Sequence, residues 1–155
     1  MGAGKTTVGL GLARRLGLPF VDLDQFIESR EGLTVADLFE AGGESRFRTA
    51  ERSALQTMVD GPPAVLACGG GTPCQPGNLA LLEAWSTVVF LDVPFDVIQS
   101  RIEGGKDRPL WAEDALSRYQ RRLPLYRRAS VRVDGAQEVP AVVEQVVTAL
   151  EQAHG

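Results

Sequence analysis

"MGAGKTTVGLGLARRLG" (residues 1–17) is the stretch whose reading decides the fold. Gly4, Lys5 and Thr6 supply the second half of the phosphate-binding pattern GxxxxGK[ST], and a helical period follows at once. Val8, Leu12 and Leu16 recur every four residues and Gly17 can close the end, so the spacing predicts a helix over 6–16. Gly2 and Gly4 permit the tight turn that aims successive N–H groups at phosphate oxygens. The start of the helix adds the positive end of its dipole. In such a loop Lys5 bridges the outer phosphates of a nucleotide and Thr6 offers its hydroxyl to Mg²⁺. The first glycine of the pattern would lie two residues before Met1.

Working outward, "LPFVDLD" (18–24) reads as a short strand ending in Asp22 and Asp24. In open parallel sheets ligands sit beyond the carboxyl ends of the strands, so both acids should face the phosphate loop. Strand alternation sends residues i and i+2 to the same side, leaving one acid for a metal and one for an acceptor hydroxyl. "TVADLFEAGG" (34–43) reads as a helix with Thr34 and Asp37 as a capping box and Gly42 as its stop. A second helix over 44–59 carries the apolar stripe Phe47, Ala50, Ala54 and Met58. "AVLACGGG" (64–71) is an apolar strand running into three glycines, whose bare backbone admits a ligand closely. A proline-opened helix follows over 76–85. "STVVFLDV" (86–93) is continuous and β-branched, as expected of a strand buried on both faces. A helix from Pro94 to about Ile102 precedes "EGGKDRPLWAED" (103–114), which reads as a mobile loop. A basic helix to about Arg128, kinked at Pro124, a strand at 130–135 and a helix over 139–153 complete the chain. Strands alternate with helices throughout, which implies a parallel α/β sheet covered on both faces.

The 155 residues suit one domain, with no repeat, linker or second composition regime. Hydrophobic residues make up 44% and charged residues 23%, the balance of a soluble globule. A net charge of −4 argues against nucleic-acid binding, so any anion site is local. Cys68 and Cys74 form neither a metal-ligand pattern nor a disulfide scaffold. No apolar run is long enough to span a membrane and no signal-peptide core opens the chain, which makes the cytoplasm the expected compartment. The lone His154 sits in a polar tail and is given no role.

"GAGKTTVG", "DLD", "GESRFRTAE", "CGGG", "RPL" and "PLYR" stand in the order and spacing of shikimate kinases, and the chain resembles that family from Met1 to its last helix. The resemblance implies a single P-loop kinase domain over 1–155, of three layers, with a parallel sheet in the order 2-3-1-4-5 and helices on both faces. It implies transfer of the γ-phosphate of ATP to the 3-hydroxyl of shikimate with Mg²⁺, by a monomer. Gly2, Ala3, Gly4, Lys5, Thr6 and Thr7 would bind ATP, with Arg101 at the adenine. Thr6 and Asp22 would hold the metal, and Asp24 would bind the shikimate hydroxyls as candidate base. Arg48 and Arg127 would grip the shikimate carboxylate, and Gly69, Gly70 and Gly71 would line its pocket. Arg108, in a lid loop of about 104–114, would reach the transferring phosphate, and the shikimate-binding region would span about 24–52. Arg46, Arg52, Arg121, Arg122 and Arg128 are read as surface charges. Guanidinium suits these tasks because its paired donors match a planar carboxylate.

The family carries an apolar strand and a glycine ahead of this point, in mid-sheet. The resemblance therefore implies that the first strand is absent, that Met1 is an internal methionine, and that the native chain starts about ten residues earlier. "AVLAC" and "VVFLDV" would then lose their shared neighbour. Two alternatives stand beside this reading: another small-molecule kinase of the same fold, with gluconate or a nucleoside monophosphate as acceptor, and a truncated nucleotide-binding module without activity.

Overall fold

A computed structural model describes the backbone of residues 2–103 and 109–155 and the side chains of 2–102, 114–153 and 155. The first helix, α1 (Lys5–Leu16), opens on Gly4 at φ 84° and closes on Gly17 at φ 67°, both left-handed, as the glycine spacing requires. β1 (Phe20–Asp22) is shorter than the sequence suggests. Asp22 ends it by capping a helix the sequence reading lacks, α2 (Leu23–Glu31), its carboxylate accepting from the Gln25 N–H at 3.2 Å. Asp24 therefore lies in the first turn of α2 rather than on a strand, and strand alternation does not govern where it faces.

The two helices expected over 34–59 form one element, α3 (Val35–Val59), broken by Gly43 at φ 67° and ψ −170°. The break falls one residue after the expected stop. The Thr34–Asp37 capping box is present, with bonds of 3.1 and 3.3 Å. β2 (Val65–Ala67), α4 (Asn78–Trp85), β3 (Val89–Asp92) and α5 (Phe95–Glu103) follow. α6 (Pro109–Tyr126) begins inside the segment read as a loop and ends two residues before Arg128, and Pro124 lies within its last turn. Residues 104–108, and with them Arg108, lie outside the described residues, as does the side chain of His154. β4 (Val131–Asp134) and α7 (Val139–His154) close the chain.

The strands pair in parallel as β1–β2, Val21 opposite Leu66, and β3–β4, Leu91 opposite Val133. These are two separate two-stranded sheets, in the order of strands 2-3 and 4-5 of the expected sheet. Among the described residues β2 and β3 do not pair, and β3 has a hydrogen-bonded neighbour on the β4 side only. Of its four residues Leu91 alone is fully buried, the others half-buried, contrary to the expectation of burial on both faces.

Two apolar clusters make the layers. Val8 and Leu12 of α1 pack with Leu91, Val131 and Val133 and with Val142, Val143, Val146 and Val147 of α7. Leu23, Ile27, Leu38, Phe47, Ala54, Leu55 and Leu82 join α2, α3 and α4. Val65 packs against the first cluster, and Leu66 and Cys68 against the second. Adjacent strand residues point to opposite faces, so the clusters cover the two sides of β2 and the molecule has three layers. Each full burial contributes about 1.5–3 kcal/mol, enough to hold the strand ends in place around a cleft. No helix among the described residues is long and apolar enough to cross a membrane.

Candidate active site

The phosphate end is built mostly from backbone. Gly2 and Gly4 have φ of 74° and 84°, a conformation that side chains other than glycine's adopt at a cost. They curl the chain so that the free N–H groups of the first turn of α1 face outward. A cavity of about 330 Å³ is lined by residues 2–7 and Arg101. Beside it a second, of about 300 Å³, runs from Ala3, Gly4, Thr7 and Val8 to the turn 135–139. Arg101 forms part of both walls, donating to the carbonyl of Gly2 at 3.2 Å and that of Gly135 at 3.3 Å. It thereby ties the loop to the turn between β4 and α7. The sequence-derived loop residues Gly2, Ala3, Gly4, Lys5, Thr6, Thr7 and Arg101 are thus brought together.

Lys5 joins this end to the acids. Burial lowers its pKa, and the carboxylates of Asp24 and Asp22 oppose that fall. Asp24 is half-buried; burial raises its pKa, and the charges of Asp22 and Glu51 raise it further. One oxygen of Asp22 is used on the α2 cap, and the other makes no protein hydrogen bond among the described residues. Burial pushes the Cys68 thiol up to about 12, so it stays a neutral wall group.

The far end is built from side chains that meet at the triple glycine after β2. Glu51 is 1% exposed, and its charge is met by Arg48, whose Nη1 donates to both carboxylate oxygens at 3.0 Å. Thr72, fully buried, donates its hydroxyl to Glu51 Oε2 at 2.8 Å. Asn78, buried at the start of α4, donates to the Thr72 carbonyl at 3.0 Å and accepts from Arg52 at 2.8 Å. A buried charge needs such partners, since one left unpaired costs several kcal/mol. With Arg48 Nε on Glu44 at 3.2 Å, its Nη2 is the corner left for the cleft.

Arg122 arrives from α6 on the other side. A Cβ at Gly71 would lie 2.7 Å from Nη2 of Arg48 and 3.1 Å from Nη2 of Arg122. Glycine leaves that space open, and two guanidinium groups converge on it. Arg122 has no carboxylate partner among the described residues, and like charges brought this close favour an anion between them. A Cβ at Gly69 would stand 3.9 Å from Oδ1 of Asp24, which sets that acid beside the same turn.

The structure separates the two arginines chosen from the sequence. Arg48 lies at the triple glycine, but Arg127 is exposed beyond the end of α6, where its charge is felt by Tyr119. Arg122, read as a surface charge, takes the place expected of Arg127. The physical reason is helical spacing. Arg122 and Tyr126 are four residues apart and share a face of α6. Tyr126 donates to the Gly70 carbonyl at 2.5 Å, which turns that face to the cleft and Arg127 away. The same spacing, applied to "RRLPLYR" with the aromatic taken as the cleft side, is a signal that finds Arg122. Arg52 is exposed, as expected of a surface charge, and also donates to Asn78.

A protein-family model described as "Shikimate kinase" matches residues 1–151. The shikimate kinase of Aromatoleum aromaticum is 42% identical over 99% of this chain and 92% of its own length. That of Sulfurihydrogenibium sp. is 35% identical over 98% of this chain and 94% of its own. Among solved structures, shikimate kinase from Acinetobacter baumannii in complex with shikimate superposes with a TM-score of 0.89, at 34% identity, covering 99% of this chain and 89% of that one.

Proposed function

This chain belongs to the shikimate kinase family, and we propose that it transfers the γ-phosphoryl group of ATP to the 3-hydroxyl of shikimate, giving shikimate 3-phosphate and ADP. The observation that carries the acceptor assignment is the convergence of Arg48 and Arg122 on the open space at Gly71. Two forked donors across a gap suit one planar carboxylate. A nucleotide acceptor would instead need an aromatic or apolar slot for a second base.

In this reading the amides of residues 2–7 and the Lys5 ammonium hold the ATP phosphates. The base and ribose occupy the cavity between Thr7, Arg101 and the 135–139 turn. Arg48 and Arg122 hold the shikimate carboxylate, and Gly69, Gly70 and Gly71 let the ring lie against backbone. Asp24 then receives the acceptor hydroxyl. Its main contribution is to hold that oxygen in line, because a loose phosphoryl-transfer transition state requires little proton removal early. The raised pKa of Asp24 also suits it to take the proton as the bond forms. Arg108 is assigned the neutralisation of charge on the transferring group.

The free oxygen of Asp22 and the exposed Thr6 hydroxyl are hard donors that fit Mg²⁺. That ion takes one or two protein oxygens and completes its shell with phosphate and water. When bound it supplies charge neutralisation on the phosphates. We read the chain as one kinase domain acting as a cytoplasmic monomer, since both ends of the cleft come from the same chain.

The test is ADP release by the purified chain with Mg²⁺, ATP and a panel of acceptors: shikimate, gluconate and nucleoside monophosphates. Release that depends on shikimate supports the reading. Equal release with gluconate overturns the acceptor assignment, and tight ATP binding without turnover on any acceptor favours an inactive nucleotide-binding module.

A further inference from the structure

We infer that Tyr126 is a positioning residue for the acid substrate: its hydroxyl ties the triple-glycine turn to α6 and sets the direction of the Arg122 guanidinium. The inference rests on the reading of Arg122 as a carboxylate-gripping group and goes one residue deeper.

Three observations meet at this hydroxyl. It donates to the Gly70 carbonyl at 2.5 Å, a bond from α6 to the turn after β2. The Arg122 guanidinium, one helical turn back on the same face, reaches the same turn beside it. Its ring packs on Phe90 of β3, centroids 5.4 Å apart, which fixes where the oxygen can stand. A phenol has one proton to donate and lone pairs to accept with, so the bond to Gly70 leaves the oxygen able to accept from Arg122. Burial raises the Tyr126 pKa, which keeps the proton on the donor.

The consequence is geometric. A guanidinium on a long side chain samples many rotamers, and holding one of them costs entropy unless a partner fixes it. Arg48 has Glu51 and Glu44 for this purpose. Arg122 has no carboxylate among the described residues, and the Tyr126 oxygen is the polar group that stands beside it at the turn. A Cβ at Gly70 would lie 2.8 Å from that oxygen and 3.3 Å from Arg122 Nη1, so turn, phenol and guanidinium form one compact unit. A neutral partner leaves the full positive charge of Arg122 for the substrate, where a carboxylate would compete with it.

The experiment is a cycle of Tyr126→Phe, Arg122→Ala and the double variant, read as kcat, KM for shikimate and KM for ATP. Phenylalanine keeps the ring on Phe90 and removes only the oxygen. Tyr126→Phe is expected to raise the shikimate KM roughly tenfold, the scale of one charge-assisted hydrogen bond. The ATP KM should stay within about twofold, a split that a general loss of structure would not give. In the Arg122→Ala background the same change should add less than about twofold, because the residue through which it acts is gone. An equal rise in both backgrounds, or no rise in the first, overturns the proposal while shikimate-dependent turnover of the unaltered chain preserves its parent. Absence of that turnover in the unaltered chain overturns both.

Discussion

On the proposed reading, the two ends of the cleft hold charge by different means. The phosphate end is a run of consecutive residues at one helix start, where backbone N–H groups carry the task and two glycines give the chain its curl. The acid end draws a guanidinium from α3 and another from α6 to a turn after β2, and fixes them with Glu51, Thr72 and Tyr126. A backbone site is rigid once its helix forms. A side-chain site needs a second set of residues to stop its long arms from wandering. Damage should therefore show as lost chemistry at the first end and lost affinity at the second.

The largest expected effect is at the phosphate end. Lys5→Met keeps most of the side-chain volume and removes the charge, and turnover should fall by about 10³-fold or more. Because burial disfavours the Lys5 charge, the variant should melt no lower than the parent. A coupled ADP assay beside a thermal melt checks both, and retained turnover would contradict the loop assignment.

Asp24→Asn comes next, with a loss of about 10²-fold in kcat. Its pH behaviour is the sharper readout. Folding raises the Asp24 pKa, so the folded chain binds this proton more tightly than the unfolded chain. Across the window from the ordinary carboxylate pKa up to the raised one, stability falls as pH rises. Above that window the ionised Asp24 opposes folding, and Asp24→Asn should melt higher at neutral pH while working worse. Melting curves of both proteins across acid to neutral pH test this; identical curves would mean the carboxylate is not strained by its site.

Arg122→Ala moves the comparison to affinity. Losing charge-assisted bonds to a carboxylate should raise the shikimate KM by about 10–100-fold, with the ATP KM nearly unchanged. Arg127→Ala should leave the shikimate KM within about twofold. The reverse result would return the role to Arg127 and remove α6 as the second wall.

The same contrast explains what could be read without coordinates. The phosphate loop was legible because its residues are neighbours in sequence and each type has a backbone reason. Arg48 came from the resemblance, on the stretch GESRFRTAE, and its bond to Glu51 three residues on follows from their shared helix face. Most element positions followed from period and caps, including the Thr34–Asp37 box. α2 was missed because Asp22 serves both as strand end and as N-cap, and the short apolar set Leu23 and Ile27 was not counted as a helical period. Arg122 was missed because nothing nearby in sequence pairs with it; its partners are a glycine turn and a tyrosine that only the packing of α6 on β3 brings in. Thr72 was hidden for the same reason. Its partner Glu51 lies on another element, and a threonine after three glycines reads as turn.

Thr72→Val is the finest probe of that difference. Valine matches threonine in shape, so only the bond to Glu51 Oε2 is lost. A buried carboxylate oxygen deprived of a hydroxyl costs about 1–3 kcal/mol, which should lower the melting temperature by several degrees. Arg48 still holds Glu51 by both oxygens, so its cleft-facing corner should shift little. The shikimate KM is then expected to rise only a few-fold, less than for Arg122→Ala. Thr72→Ser, which restores the hydroxyl, should recover the KM even if it recovers less of the stability, because it lacks the buried methyl group. A KM rise as large as that of Arg122→Ala would mean that the Glu51 network, and not the second guanidinium, sets the affinity for the acid.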